Sequence, residues 1–379
     1  MTVLVGAGVA SPLGLGLSAS VQAWVTGGTG LGPSPLPAEG LSWSQAGVVP
    51  DFRPRKQLPD RKAVKLMSRE AQLLVYASVE ACGVDVVTRL GVDPERFGAF
   101  AAAGYEVTPL GEVLEMFRRS RDLDDPGALS LRRLFSEGRH AYNPLSPLKT
   151  LPNMALFHAG MALGLRGPHL ALGSSPAAGL AALSGAVDAL ADGTCDHALV
   201  GGTDAQVELY RIHYLDEAGV LAGAAPAEGA AALHLAATGA GVRIGAIGLA
   251  QEPPMGSLLG EHYSAVADDG EVRRRLYSWV VQEARACGAP PVDLIIGDLW
   301  GLPARDDAER WALSHILGGS DVSILSTRPR TGHLGAAHGL FDVALAAELI
   351  GRGEGSCALV TAGGSAGDLG AVVLVGEAP

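Results

Sequence analysis

Short apolar runs alternate with helix-periodic stretches along the whole chain, and this alternation restricts the fold more than any other feature. The runs predict strands at Val3–Val9, Phe97–Ala102, His169–Leu172, Ala198–Gly201, Ala231–Leu235, Arg243–Ile247, Leu294–Gly297, Ser323–Ser326, Ala358–Thr361 and Ala371–Val375. Several are apolar at every position, which fits strands buried on both faces. Helices are predicted at Gly16–Val25, Ala63–Ala81, Leu110–Arg119, Ala177–Ala191, Glu271–Ala286, Asp306–Leu317 and Gly339–Ile350. Such alternation calls for α/β layers with covered sheets. One unit occurs twice: strand, turn, small-residue helix, returning strand. It runs through His169–Gly201 and again, loosely, through Asp321–Thr361.

Composition excludes several classes. Of 379 residues, 48% are hydrophobic and only 18% charged, so the chain is not disordered. Glycine numbers 52, about twice average usage, and lets elements pack closely. No 18-residue apolar run escapes a charge or a glycine-rich break, so no membrane span is expected. The first residues lack the basic start of a signal peptide. A net charge of −12 disfavours nucleic-acid binding. Cys82, Cys195, Cys287 and Cys357 are scattered, with no CxxC pair, so neither a metal site nor a redox motif is indicated. Scattered thiols fit a reducing cytoplasm. The irregular stretches Gly27–Pro59 and Arg118–Leu151 read as surface excursions.

Three segments could carry chemistry. The strand-turn-helix elbow at Leu172–Leu180 presents Ser175 at a helix N-terminus, where a nucleophile would be favoured; Ser before Pro176 is also an ordinary N-cap. The turn TGHLGAAHG places His333 ahead of a helix, either as a donor to a carbonyl or as a satisfied turn histidine. In GDLWGLPARDDAER, Asp306 and Glu309 fall at a helix start, where capping is favoured over acid–base work. Arg53, Arg55, Lys56, Arg61, Lys62 and Lys65 form a basic patch on an acidic protein, suited to an acidic partner or simply solvated. Arg273, Arg274 and Arg275 read as a second, weaker patch.

Together these stretches resemble the β-ketoacyl synthase family of the thiolase-like fold, over nearly the whole length. The resemblance is carried by VLVGAGVASPLGLGLSASVQAW, by LPNMALFHAGMALGLRGPHLALGSSPAAGLAALSG with its Pro152-Asn153 and Gly167-Pro168 marks, by PAEGAAALHL, and by TGHLGAAHGLFDVALAAELI. It implies a five-layer αβαβα fold of two fused similar halves, residues 1–238 (with insertions) and 239–379. It also implies where a Cys nucleophile, two histidines and a lysine would stand. Here those positions carry Pro176, Asp298, His333 and Arg328. Only His333 matches.

Condensation needs a thiolate to carry the acyl chain, and groups that support malonyl decarboxylation and the oxyanion. An anionic Asp298 would oppose that charge. GLGLSASVQAW, the GLGP that follows and GDLWGLPARDDAERWAL resemble most the chain-length factors of type II polyketide synthases, ketosynthase-like subunits that lack the Cys. The resemblance implies a catalytically inactive subunit without cofactors. It would form a heterodimer with an active ketosynthase and shape the acyl tunnel during malonyl-based polyketide or polyene elongation on acyl carrier protein. The interface would include His169–Leu172, with Leu110, Leu114 and Phe117 of Leu110–Arg119 on the tunnel side and Ser175 nearby. Arg53, Arg55, Lys56, Arg61 and Lys62 are the candidate carrier-protein docking set. The alternative is a free-standing acyltransferase or hydrolase using Ser175 and His333. The segment AGAAPAE and the C-terminal GGSAGDLG both depart from active synthases.

Overall fold

The computed structural model describes residues 2–36, 43–104, 110–151, 153–173, 175–217, 221, 223–252, 270–317 and 322–377. Pro152, Ser174 and Asp321, and part of Gly27–Pro59, lie outside them. The main sheet contains β1 (Val3–Ser11), β2 (Phe97–Ala103), β3 (His169–Leu172), β4 (His197–Ala205), β5 (Glu228–Ala236), β6 (Val242–Gln251), β7 (Leu294–Ile296), β8 (Ile324–Leu325), β9 (Cys357–Gly363) and β10 (Asp368–Val375). Their order is β8-β7-β9-β10-β6-β1-β5-β4-β2-β3. Every run expected to be a strand is one, shifted by a few residues at its ends.

The order hides a duplication. In the first half, β3 and β2 are parallel, β2 and β4 are parallel, and β4–β5 and β5–β1 are antiparallel. In the second, β8 and β7 are parallel, β7 and β9 are parallel, and β9–β10 and β10–β6 are antiparallel. The two half-sheets share one topology. Among the described residues they join at Val3↔Arg243 and Leu4↔Val242, between β1 and β6.

Helices complete five layers. α1 (Arg69–Cys82) and α2 (Met154–Leu163) cover the outer face of the first half-sheet. α3 (Pro176–Ala191) and α6 (His338–Gly351) pack against each other between the half-sheets. α4 (Glu271–Ala286) and α5 (Pro303–Leu317) cover the second. Separate apolar clusters fill the spaces: one around Leu180, Leu340 and Phe341 at the centre, one around Leu73 and Leu74, one around Val280 and Leu313. Because α3 and α6 have half-sheets on both sides, they are apolar nearly all round, as a doubly covered helix must be. Small residues set the spacing. A Cβ on Gly8 would sit 2.1 Å from the Ala77 carbonyl oxygen of α1, and one on Gly202 would sit 2.6 Å from that of Ala336.

Two expectations about helices change. Ala63–Ala81 is not continuous: a 3₁₀ turn at Ala63–Leu66 precedes α1, whose N-cap Ser68 accepts a hydrogen bond from the Ala71 amide at 3.0 Å. The cap satisfies an amide that would otherwise lack a partner, and it restarts the helix. The sequence pattern also passes over α2. MALFHAGMAL is apolar almost throughout, so it carries no polar stripe to mark its period.

Candidate functional site

The carboxyl ends of the half-sheet strands bring the candidate residues into the interior. Ser175 ends the turn after β3 and caps α3. Its Oγ accepts from the Ala177 amide at 3.1 Å and donates to the Asp368 carboxylate. Pro176 occupies the first helical position, buried. The elbow is therefore present, but its hydroxyl is committed as a cap. Among the described residues no hydrogen bond joins Ser175 to His333.

Asp298 follows β7, and its amide donates to the Thr361 hydroxyl on β9 at 3.0 Å. Arg328 opens a short helical turn, Arg328–Thr331, whose last residue precedes Gly332 at φ +76°. That left-handed backbone turns the chain so that the His333 amide donates to the Ala225 carbonyl at 2.7 Å. Three positions expected from the resemblance thus meet. Arg328 Nη2 donates to Asp298 Oδ1 at 2.5 Å, and Arg328 Nη1 to His333 Nδ1 at 2.5 Å.

The cluster extends well beyond them. Arg305 Nη2 donates to Asp298 Oδ2 at 2.9 Å, and Arg305 Nη1 reaches Glu252 Oε1 at 3.4 Å. Arg273 makes a two-pronged pair with Glu252 at 3.0 and 2.7 Å and a third bond to Glu309 at 3.1 Å. Glu309 also accepts from Tyr277 and Thr361, each at 2.6 Å. Trp300 Nε1 donates to both Asp298 oxygens at 2.9 and 3.0 Å. None of the six charged residues is more than 5% exposed. Among the described residues three guanidiniums face three carboxylates, so the charges of this set balance. That balance makes its burial tolerable, since an unpaired buried charge would be very costly.

Electrostatics follow from this packing. Burial pushes the Asp298 carboxyl up, but the Arg328, Arg305 and Arg273 charges outweigh it and hold it below the ordinary range. Burial, then the Arg328 charge, holds the His333 imidazole well below its ordinary range, so the ring is neutral. With Nδ1 accepting from Arg328, the proton sits on Nε2. His338 is neutral for the same reasons, and its Nε2 lies 3.1 Å from the Thr327 hydroxyl.

Several sequence readings are corrected. Asp298 is anionic but not a lone opposing charge, because two arginines neutralise it. Glu309 is not a first-turn cap; α5 begins at Pro303, and the Glu309 carboxylate is fully buried. Asp306 does serve the helix start, accepting from the Trp300 and Gly301 amides at 2.7 and 3.0 Å. Arg273 belongs to the buried cluster and to no surface patch, while Arg274 and Arg275 pair with Glu271. The sequence pattern does not mark Arg305, Glu252 or the role of Trp300. The available signal was a strongly charged set spaced within an apolar surround, with Arg305 and Glu309 one helical turn apart.

Other expected residues lie apart, at the surface. Leu110, Leu114 and Phe117 are exposed on Leu110–Arg119, and Leu114 and Phe117 line an open cavity of about 510 Å³. Arg55, Lys56, Arg61, Lys62 and Lys65 line a cavity of about 1030 Å³; Arg53 is exposed beside it. β3 is the terminal strand of its half-sheet and largely exposed. No helix among the described residues is long and apolar enough to cross a membrane.

A thiolase-like duplicated core with its site at the strand ends defines a class, and comparison supplies the family. The β-ketoacyl synthase N-terminal domain matches residues 2–241, and the C-terminal domain matches residues 256–354. The chain belongs to the β-ketoacyl synthase family. A putative polyketide beta-ketoacyl synthase 2 of Streptomyces coelicolor is 28% identical over 357 residues, 87% of this chain and 78% of that protein. Nodulation protein E of Rhizobium leguminosarum bv. trifolii is 28% identical over 310 residues, 77% of this chain and 72% of that protein. The fold matches the ishigamide ketosynthase/chain length factor with a TM-score of 0.77 at 19% identity, covering 100% and 99% of the two chains. It also matches a type II polyketide synthase ketosynthase solved with its acyl-carrier protein, with a TM-score of 0.74 at 14% identity and 99% of each chain covered.

Proposed function

We propose that this chain is a catalytically inactive ketosynthase-like subunit, a chain-length factor, that pairs with an active ketosynthase. The carrying observation is the buried cluster of Asp298, Arg305, Arg328 and Trp300 built around His333, together with Pro176 at the helix start. Pro176 offers no nucleophile, and the His333 Nδ1 lone pair is engaged by Arg328. Ser175 as a free-standing acyltransferase or hydrolase nucleophile acting with His333 has no such support, because its hydroxyl caps the helix and donates to Asp368, and among the described residues it makes no hydrogen bond to His333.

The exposed edge strand β3, with Leu170, favours pairing with a homologous subunit by strand addition. Phe157 and Met161 of α2 and the apolar side of Leu110–Arg119 are exposed as well, and such surface marks a partner face. In this reading Leu110, Leu114 and Phe117 shape the tunnel wall, and the Arg53–Lys62 patch receives the acidic carrier protein in the cytoplasm. Residues 1–238 and 239–379 are the two fused halves. The test is co-expression with a Cys-containing ketosynthase and a carrier protein. A stable heterodimer that condenses malonyl units, with no acylation of this chain, is expected. A self-contained homodimer with activity of its own would refute the reading.

A further inference from the structure

Trp300 has more contacts than a space-filling residue needs. Its indole is 1% exposed. The Arg328 guanidinium lies over the ring at 4.4 Å and that of Arg305 at 4.6 Å. The His333 imidazole is 4.9 Å away, tilted by 46°. The ring N–H is held by both Asp298 oxygens. Cation–π contacts hold the ring while the N–H bond fixes its rotation, so the side chain has one available pose.

We infer that Trp300 closes the space beside His333, so that no acyl group can occupy it whatever residue stands at position 176. The indole fills the volume next to the imidazole face, and Asp298 and the two arginines lock it there. The site is thus blocked sterically as well as stripped of its nucleophile. This deepens the proposed function: the subunit would supply the complex with a wall and no second reaction chamber. The geometry itself does not depend on that reading.

The test is Trp300→Gly in the full chain, probed with indole and with benzothiophene, a near-isostere without the N–H. Loss of the side chain lowers Tm by roughly 5–10 °C, since it leaves a cavity and removes a buried aromatic. Indole at millimolar concentration restores at least half of that shift in the variant and leaves the parent unchanged. Benzothiophene restores clearly less, because it offers Asp298 no donor. If the variant does not accumulate as soluble protein, indole supplied during expression restores the yield. The proposal is overturned if indole neither raises Tm nor restores yield, or if the parent responds equally. Equal rescue by benzothiophene overturns the role given to the Asp298 bond. Indole binding is read on this chain and heterodimer formation by co-purification, so each result can fail without the other.

Discussion

Replacing Asp298 with Asn isolates the charge balance of the buried cluster. The side chain keeps its volume but loses its negative charge. Asp298 accepts from Arg328 at 2.5 Å, from Arg305 at 2.9 Å and from Trp300 at 2.9 and 3.0 Å. After the substitution, among the described residues, three buried guanidiniums face two carboxylates, and an amide N–H₂ must face an arginine or turn from Trp300. Breaking one side of a buried pair costs about 3–5 kcal/mol. Urea unfolding should therefore shift to lower midpoint by roughly 1 M or more. Adding Arg328→Met removes the surplus charge and should recover about 1–3 kcal/mol, a coupling that a double-mutant cycle reads directly. The Asp298 pKa is depressed in the fold, so its contribution is complete above about pH 4 and is lost as pH falls through the folded value. The parent and Asp298→Asn curves should accordingly converge in acid. An Asn variant within about 1 kcal/mol of the parent at pH 7, or a double variant no more stable than the single, would refute the reasoning.

Other predictions follow from separate parts of the molecule. Burial, then the His197 ring and Arg89, push the His234 imidazole down from 6.5 to about 4. Its stability contribution is complete above pH 6.5 and falls by up to about 3 kcal/mol as pH drops toward 4, so His234→Gln should flatten Tm against pH in that window. Gly8→Ala places a methyl group against the α1 backbone and should abolish soluble expression; a parent-like yield would contradict the close approach. Leu170→Lys on exposed β3 should block co-purification with a ketosynthase while moving the chain's own stability by at most about 0.5 kcal/mol. Arg55→Glu with Arg61→Glu should weaken carrier-protein affinity roughly tenfold or more and reduce its salt dependence, measured by titration calorimetry at two ionic strengths.

The strands were legible because most are buried runs with no alternation to confuse. The helix Met154–Leu163 was not, because a helix without a polar face carries no period. The elbow at Ser175-Pro176 was readable as an N-cap from local preferences alone, and the structure keeps it as one. The site was half legible. Asp298, Arg328 and His333 could be placed through family motifs spread along the chain. Glu252 and Arg273 could not, because their meeting with Arg305 and Glu309 depends on how α4 and α5 pack on the second half-sheet. Arg273 beside Arg274 and Arg275 reads as a surface run until the fold buries one of the three.

By itself the sequence determined that this chain folds as covered α/β layers and that no cysteine stands at the helix start. Local patterns suffice for both, since strand burial is written in continuous apolar runs and a nucleophile is present or absent at one position. Only the tertiary structure decided which side chains surround His333. Charges far apart in the chain balance when the second half-sheet and its helices close around them, and Trp300 becomes a plug because Asp298, Arg305 and Arg328 converge on its ring. Coulomb pairing and packing act through space, so they cannot be summed from neighbours along the chain.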